Sequence, residues 1–258
     1  MRLFHAWLSS ASRRVRLCMA EKGVAYESVA VDLGMQEQHA PEFLAMNPNG
    51  VVPALEISPG RFLHESSTIC EYLDDWRPEP PLRPRDPFDR AQMRNFVRWT
   101  DEKALPNLLI LNWSLMLQPA AQRWSDQELA AKLQRIPTAE RRKAWERIAR
   151  KPYTDEERAE ALRCLLVLVE KMEGMLEGAG RASPYVVGNA YTLADIAAVP
   201  FVARIAELCP QAISAEGSPR VHAWWRMVAQ RPAFAAARLQ PFAEVMQQRQ
   251  SSDGGVNT

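Results

Sequence analysis

Three serines, Ser9, Ser10 and Ser12, stand where a short strand pattern gives way to a helical one. A helix N-terminus offers unpaired N–H groups and the positive end of the helix dipole, so it favours an anion. A thiolate held there has a lowered pKa. A hydroxyl donating to the sulfur adds a charge-assisted hydrogen bond of roughly 1.5–3 kcal/mol, which is about one or two pKa units. The plainer use of such serines is capping, and Ser10 is the expected N-cap of the helix that follows.

Two further stretches could hold an amino-acid-like ligand. Val51-Val52-Pro53 follows the turn signal Asn47-Pro48-Asn49-Gly50. Proline cannot sit inside a central strand, so Pro53 marks a turn or an edge. A cis bond there would present the Val52 backbone to an extended ligand pairing as an extra strand; the plainer alternative is a trans proline at a strand end. Glu65-Ser66-Ser67 opens a helix. Ser66 can meet a carboxylate and Glu65 an ammonium, which together make a clamp for a zwitterion. Alone, the same pair is an ordinary helix cap.

The elements that must position these groups fall into two kinds. Met1–His5, Tyr26–Val31, Val51–Ile57 and Arg61–Leu63 read as strands, and helical patterns begin at Ser10, Pro41 and Glu65. The order βαβαββα implies a sheet with helices on its faces. In the first helix Val15, Cys18 and Met19 recur at helical spacing, and Lys22-Gly23 gives it a cationic last turn and a stop. Five prolines between Arg77 and Pro87 make a linker.

Beyond the linker the patterns are helical: Phe88–Leu117 with a kink expected at Pro106, Thr154–Leu176, Leu193–Leu208, Arg220–Gln230 and Ala233–Met246. The expected organisation is an α/β domain over residues 1–77, a linker over 78–87 and an all-helical bundle over 88–246. Within the bundle, a charged insertion at about 118–153 should form its own short helices, opened at Ser125-Asp-Gln-Glu128 and Thr138, with most of its charge solvated. The polar tail, 247–258, reads as disordered.

Composition narrows the function. With 32 basic and 31 acidic residues, the chain carries no electrostatic footprint for nucleic acid or an anionic membrane. The cluster Arg13, Arg14, Arg16 is expected to be a solvated helix face or a domain contact. Nothing approaches the roughly 18 apolar residues of a membrane span. His5, His64 and His222 lack ligand spacing, so no metal is expected. Cys18, Cys70, Cys164 and Cys209 are scattered among apolar neighbours and read as small buried hydrophobes in a reducing, cytoplasmic compartment.

In this order, the stretch around Ser9, "NPNGVVPAL", "ESSTICEYL" and "YTLADIAAVP" resemble the cytosolic glutathione transferases across nearly the whole chain. The resemblance implies a thioredoxin-like N-terminal domain followed by an all-α C-terminal domain, glutathione as co-substrate and a homodimer. It places the thiol-activating residue on Ser9, with Ser10 and Ser12 as alternatives. The backbone contact before the cis-proline falls on Val52 and Pro53, and the γ-glutamyl clamp on Glu65 and Ser66. Gln38 or His39 is matched to the glycyl end. Val51 stands where the family often has lysine, so one charge contact is expected to be missing. Thr192-Leu-Ala-Asp195 matches a capping box with a folding role.

The second substrate is expected to be a small hydrophobic, aromatic electrophile, met by Trp7 and Leu8 on the first loop and by Asn107, Leu111, Trp113 and Ser114 on the first bundle helix. Leu108 and Leu115 lie on the same helix, and Leu108 and Leu111 read also as core. "WSDQELAAKLQRIPTAERRKAWERIAR" and "EQHAPEFLAMNP" look like the glutathione-dependent β-etherases of bacterial lignin breakdown. That likeness implies a thiolate that displaces a phenol at a carbon next to a ketone. A non-catalytic scaffold and a glutathione-dependent isomerase or dehalogenase are the alternatives.

Overall fold

The computed structural model of the chain describes residues 1–177, 183–242, 244 and 245. The tail expected over 247–258 lies outside the described residues. The chain forms two interleaved compact units. One comprises Met1–Ala6, Tyr26–Ile69 and Arg98–Leu168; the other comprises Trp7–Ala25, Cys70–Val97 and the described residues from Val169 onward.

The first unit contains a four-stranded sheet, β1 (Arg2–His5), β2 (Glu27–Ala30), β3 (Ala54–Ser58) and β4 (Arg61–His64), in the order β2-β1-β3-β4. β1 and β2 are parallel, and the chain between them carries the crossover helix α1 (Ser10–Glu21), as parallel strands require. β3 pairs antiparallel with both β1 and β4, with Leu3 opposite Leu55 and Leu55 opposite Leu63. Helices α2 (Pro41–Met46) and α3 (Ser66–Trp76) complete the expected βαβαββα order. Phe4, Ala6, Val31, Phe43, Val52 and Ala54 form one core cluster, against which Leu33 packs.

Helix α4 (Pro87–Trp99) runs through a π turn, Thr100–Ala104, into α5 (Leu105–Met116). The kink expected at Pro106 is replaced by this turn one residue before α5. A π turn shifts the backbone hydrogen-bond register, which is one way to accommodate a residue without an N–H. The insertion does make its own helices: α6 (Gln118–Ala121), α7 (Asp126–Gln134) and α8 (Ala139–Arg150). The capping box Ser125–Glu128 opens α7, and the Thr138 hydroxyl accepts from the Arg141 N–H to open α8. Their apolar faces bury Leu129, Ile136, Trp145 and Ile148 in a second cluster, which also receives Leu33. Trp145 meets Trp113 at 5.3 Å and stacks on Trp124 at 5.5 Å.

In the second unit, α1 packs against α10 (Leu193–Leu208) and α12 (Pro232–Ala236). α11 (Pro219–Ala229) supplies Trp224, whose Nε1 donates to the buried Asp195 at 2.8 Å. Asp195 also accepts from the N–H groups of Thr192 and Val186, so the capping box has the folding role expected of it. Lys22 is the C-cap of α1 rather than a cation of its last turn. It is buried, with Nζ 2.6 Å from Asp74 and 2.6 Å from the Pro80 carbonyl, and Asp74 accepts in turn from the Leu82 N–H and Arg83. These bonds tack the proline-rich stretch down.

Three other expectations are corrected. Arg13, Arg14 and Arg16 are buried, so of the two expectations for them the solvated face is excluded. Arg13 donates to the Gln240 carbonyl at 2.5 Å and Arg16 to that of Ala237 at 3.0 Å, contacts too distant in sequence to foresee. The helix expected over Ala233–Met246 is interrupted: α12 ends at Ala236, Arg238 takes φ 51°, and helical backbone is found again at Phe242, Glu244 and Val245; residue 246 itself lies outside the described residues. Cys18, Cys70 and Cys209 are buried, but Cys164 is only half-buried, on α9 (Asp155–Glu177), with Sγ 3.3 Å from Glu160. No helix among the described residues is long and apolar enough to cross a membrane.

The insertion covers the turn Glu37–His39 of its own unit. His39 is buried, its ring edge-on to Trp145 at 6.3 Å, and its carbonyl accepts from Arg135 at 3.4 Å. Burial, followed by the charges of Arg135 and Arg141, pushes its imidazole down to about 4. An unfolded histidine titrates near ~6.5. Between those values the unfolded chain holds the extra proton, so this contribution is complete above ~6.5 and is lost as pH falls toward 4. Urea denaturation of the wild type should therefore lose about 2 kcal/mol more between pH 7 and pH 5 than that of His39→Gln. Parallel losses would contradict a buried neutral imidazole.

Candidate functional site

The turn from β1 into α1 places the serines. Ser9, not Ser10, is the N-cap. It keeps extended backbone (φ −68°, ψ 123°), and its Oγ accepts from the Ser12 N–H at 3.3 Å while its carbonyl accepts from the Arg13 N–H at 2.8 Å. The helix thus begins one residue earlier than the apolar periodicity suggested. Capping engages the Ser9 oxygen as acceptor and leaves its proton able to donate, since a hydroxyl has both capacities. No acidic residue occupies the first turn of α1, so nothing there offsets the positive end of its dipole. Ser9 and Ser10 are half-buried, and Ser12 is fully buried.

The loop ahead of Ser9 is fixed by the buried arginines. The Trp7 carbonyl accepts from Arg13 Nε at 3.2 Å and from Arg16 Nη2 at 3.1 Å, and the Arg16 guanidinium lies 4.9 Å from the Trp7 ring centre. Sequence reading missed this role, because it depends on side chains from the next two turns folding back.

In the other unit, Asn47 organises the approach to Pro53. Its Nδ2 donates to the Val51 carbonyl at 2.7 Å and its Oδ1 accepts from the Asn49 N–H at 3.1 Å. The Val52–Pro53 peptide is cis, and Pro53 immediately precedes β3, where a missing N–H costs the ladder nothing. Gly50 sits at φ 60°, and a Cβ there would come within 2.9 Å of His39 Cδ2 and 3.2 Å of Pro137 Cδ, so only glycine fits.

Glu65 stands at the head of α3 with φ 67°. A non-glycine residue held in the left-handed region stores strain of the sort that clusters at binding sites. Its carbonyl accepts from the Ile69 N–H at 2.9 Å, and its exposed carboxylate receives Asn49 Nδ2 at 3.4 Å. Ser66 begins the helix beside it and is buried. Asn49, Glu65 and Ser66 thus set one carboxylate and one hydroxyl together at a helix N-terminus, the arrangement a zwitterionic head group needs.

Gln38 and His39 are both buried, and among the described residues Gln38 Oε1 and His39 Nδ1 have no hydrogen-bond partner. Of the residues expected to meet the electrophile, Trp113 lines a cavity of about 480 Å³, whereas Asn107, Leu111 and Ser114 do not. Asn107 Nδ2 and Ser114 Oγ turn back to carbonyls of their own helix, Lys103 at 2.9 Å and Ile110 at 2.7 Å. Leu108 is fully buried, as a core residue should be, and Leu111 half-buried. Trp7 and Leu8 belong to the other unit, with Leu8 buried. No group of three or more metal-ligating side chains occurs among the described residues.

Comparison with known proteins matches the glutathione S-transferase N-terminal domain to residues 3–81 and the C-terminal domain to residues 136–232. Protein LigF of Sphingobium sp. strain SYK-6 is 35% identical over 220 residues, which is 83% of either chain. The crystal structure of the β-etherase LigF from that strain matches with a TM-score of 0.82 and 32% identity, over 92% of this chain and 97% of the other. A maleylacetoacetate isomerase from Methylobacterium extorquens AM1, crystallised with malonate and glutathione, matches with a TM-score of 0.66 and 25% identity, over 93% and 98%. The cap at Ser9, the cis bond before Pro53 and the left-handed Glu65 are features of a chain that belongs to the glutathione S-transferase family, with glutathione as its co-substrate.

Proposed function

We propose that this transferase ionises the glutathione thiol at Ser9 and uses it to cleave a β-aryl ether. The observation that carries the reading is the Ser9 cap, a hydroxyl with a free proton at the start of a helix whose first turn holds no acid. Ser9 donates to the sulfur, and the dipole of α1 favours the thiolate. Ser10 and Ser12 are the alternatives, and the full burial of Ser12 weighs against it. Val52 pairs its backbone with the cysteinyl residue of the tripeptide. Glu65 holds the γ-glutamyl ammonium and Ser66 its carboxylate. Gln38 or His39 serves the glycyl end, where each has a buried atom without a partner.

The electrophile is a small aromatic ketone carrying an aryloxy group on the neighbouring carbon. The thiolate attacks that carbon and forms a C–S bond while the C–O bond breaks. The electron pair leaves with the phenolate, and the proton lost by the thiol passes to water or to the departing oxygen. Support comes from the 35% identity to LigF and from the TM-score of 0.82 to the structure of the β-etherase LigF. Catalysis then consists of holding sulfur in line with the breaking bond and tolerating charge on the leaving oxygen. Trp113, which lines the cavity, is its proposed contact. The working form is a cytoplasmic homodimer, as the family resemblance implies.

The likeness to the isomerase favours one second reading, in which glutathione adds and later leaves. Stoichiometric consumption of glutathione during ether cleavage decides for the transferase, and catalytic use of it for the isomerase. Ser9→Ala should lower turnover at least about tenfold with glutathione affinity nearly unchanged, the pattern of a lost transition-state contact. Full turnover in that variant would move the role to Ser10. Glu65→Gln should weaken glutathione binding, measured by calorimetry, by about tenfold or more; unchanged affinity would remove Glu65 from the clamp.

A further inference from the structure

The cavity beside Trp113 lies wholly inside one unit, between α5 and α8. Its apolar wall comes from Leu105, Leu109, Ile110 and Trp113 at helical spacing on α5, with Tyr153 opposite. At about 480 Å³ it has the size of a site for a one- or two-ring compound. Trp113 is backed by Trp145 at 5.3 Å, so this wall is rigid. The ring therefore offers a firm, flat surface on its cavity side.

Five charged side chains also reach the cavity: Asp101, Glu140, Arg141, Lys143 and Arg147. They are not equivalent. Glu140 and Lys143 are exposed, so water screens their charges. Arg147 is already ion-paired with Glu157 and stacked 4.1 Å from the Tyr153 ring centre. Arg141 is different. It is half-buried, its guanidinium lies 5.7 Å from the Trp113 ring centre, and among the described residues that guanidinium makes no hydrogen bond or ion pair. Burial lowers its pKa, while Glu140 and Glu65 oppose the shift through space. A partly desolvated fork of donors without an acceptor, set beside an aromatic face, matches a planar anion attached to a ring.

We propose that this cavity binds an aromatic carboxylate, with the ring against Trp113 and the carboxylate on the Arg141 guanidinium. The proposal deepens the electrophile reading, in which Trp113 already has a part, and gives that substrate class an anionic end. It does not depend on the glutathione contacts, so it is tested without glutathione present. Calorimetric titration with naphthoate and with uncharged naphthylmethanol should show the acid binding to the wild type at least about tenfold more tightly. Arg141→Gln should abolish that preference and leave the alcohol within about twofold. Arg141→Lys, which keeps the charge but loses the fork, should retain part of it. Trp113→Leu should weaken both probes. Removing an unpaired cation leaves no buried partner behind, so the arginine variants should keep the wild-type thermal midpoint. Equal binding of acid and alcohol by the wild type would overturn the proposal. So would an acid preference that survives in Arg141→Gln.

Discussion

The Trp7 carbonyl accepts from two buried guanidinium groups, Arg13 and Arg16, and this double bond of contacts sets where α1 begins. Burying two cations is costly unless their donors are satisfied. Here backbone carbonyls at Trp7, Ala237 and Gln240 take up most of those donors, Arg13 Nη1 excepted, and the rings of Trp7 and Phe242 lie under their charge. Burial lowers the Arg13 pKa only to about 10, so it stays protonated at neutral pH. With the loop held on one side and α1 on the other, Ser9 has a fixed backbone and its hydroxyl a fixed origin. A thiol activated by one hydrogen bond needs that precision, because the bond weakens steeply with poor geometry.

The turn ahead of Pro53, in the other unit, depends on a different constraint. The turn Asn47–Gly50, the buried His39 and Pro137 of the insertion are packed so closely that a single Cβ at Gly50 would collide with two of them. The insertion is thus part of the wall behind the turn Asn47–Gly50 of its own unit. Trp145 is the centre of that wall, touching Trp113, Trp124 and His39. It joins the surface proposed for the electrophile to the turn proposed for the glycyl end.

Much of this was legible in the chain because the signals were local. Helical periodicity and the capping boxes at Ser125 and Thr192 gave α7 and α10 their correct starts, and the turn signal before Pro53 pointed to an unusual backbone. What was not legible depended on partners far along the chain. Whether Arg13 and Arg16 were a solvated face or a packing contact could not be read, because their acceptors lie near the end of the sequence. The partners of Lys22 could not be read either, because Asp74 and the Pro80 carbonyl are reached only through folding. Arg238 and Glu65 adopt left-handed backbone without being glycine or asparagine, so no residue type announced the early stop of α12 or the strained head of α3. Arg141 sits in a charge-dense stretch whose composition suggests a solvated face, and only its packing beside Trp113 distinguishes it.

The claim on which the account turns is that the Ser9 end of α1 stabilises a thiolate. The most direct measurement is the pKa of glutathione bound to the protein, followed by the ultraviolet absorbance of the thiolate across a pH titration. The account predicts a value about one to two units below that of free glutathione for the wild type, returning most of the way in Ser9→Ala. A bound thiol that titrates like the free tripeptide, or an equal depression in both proteins, would contradict it.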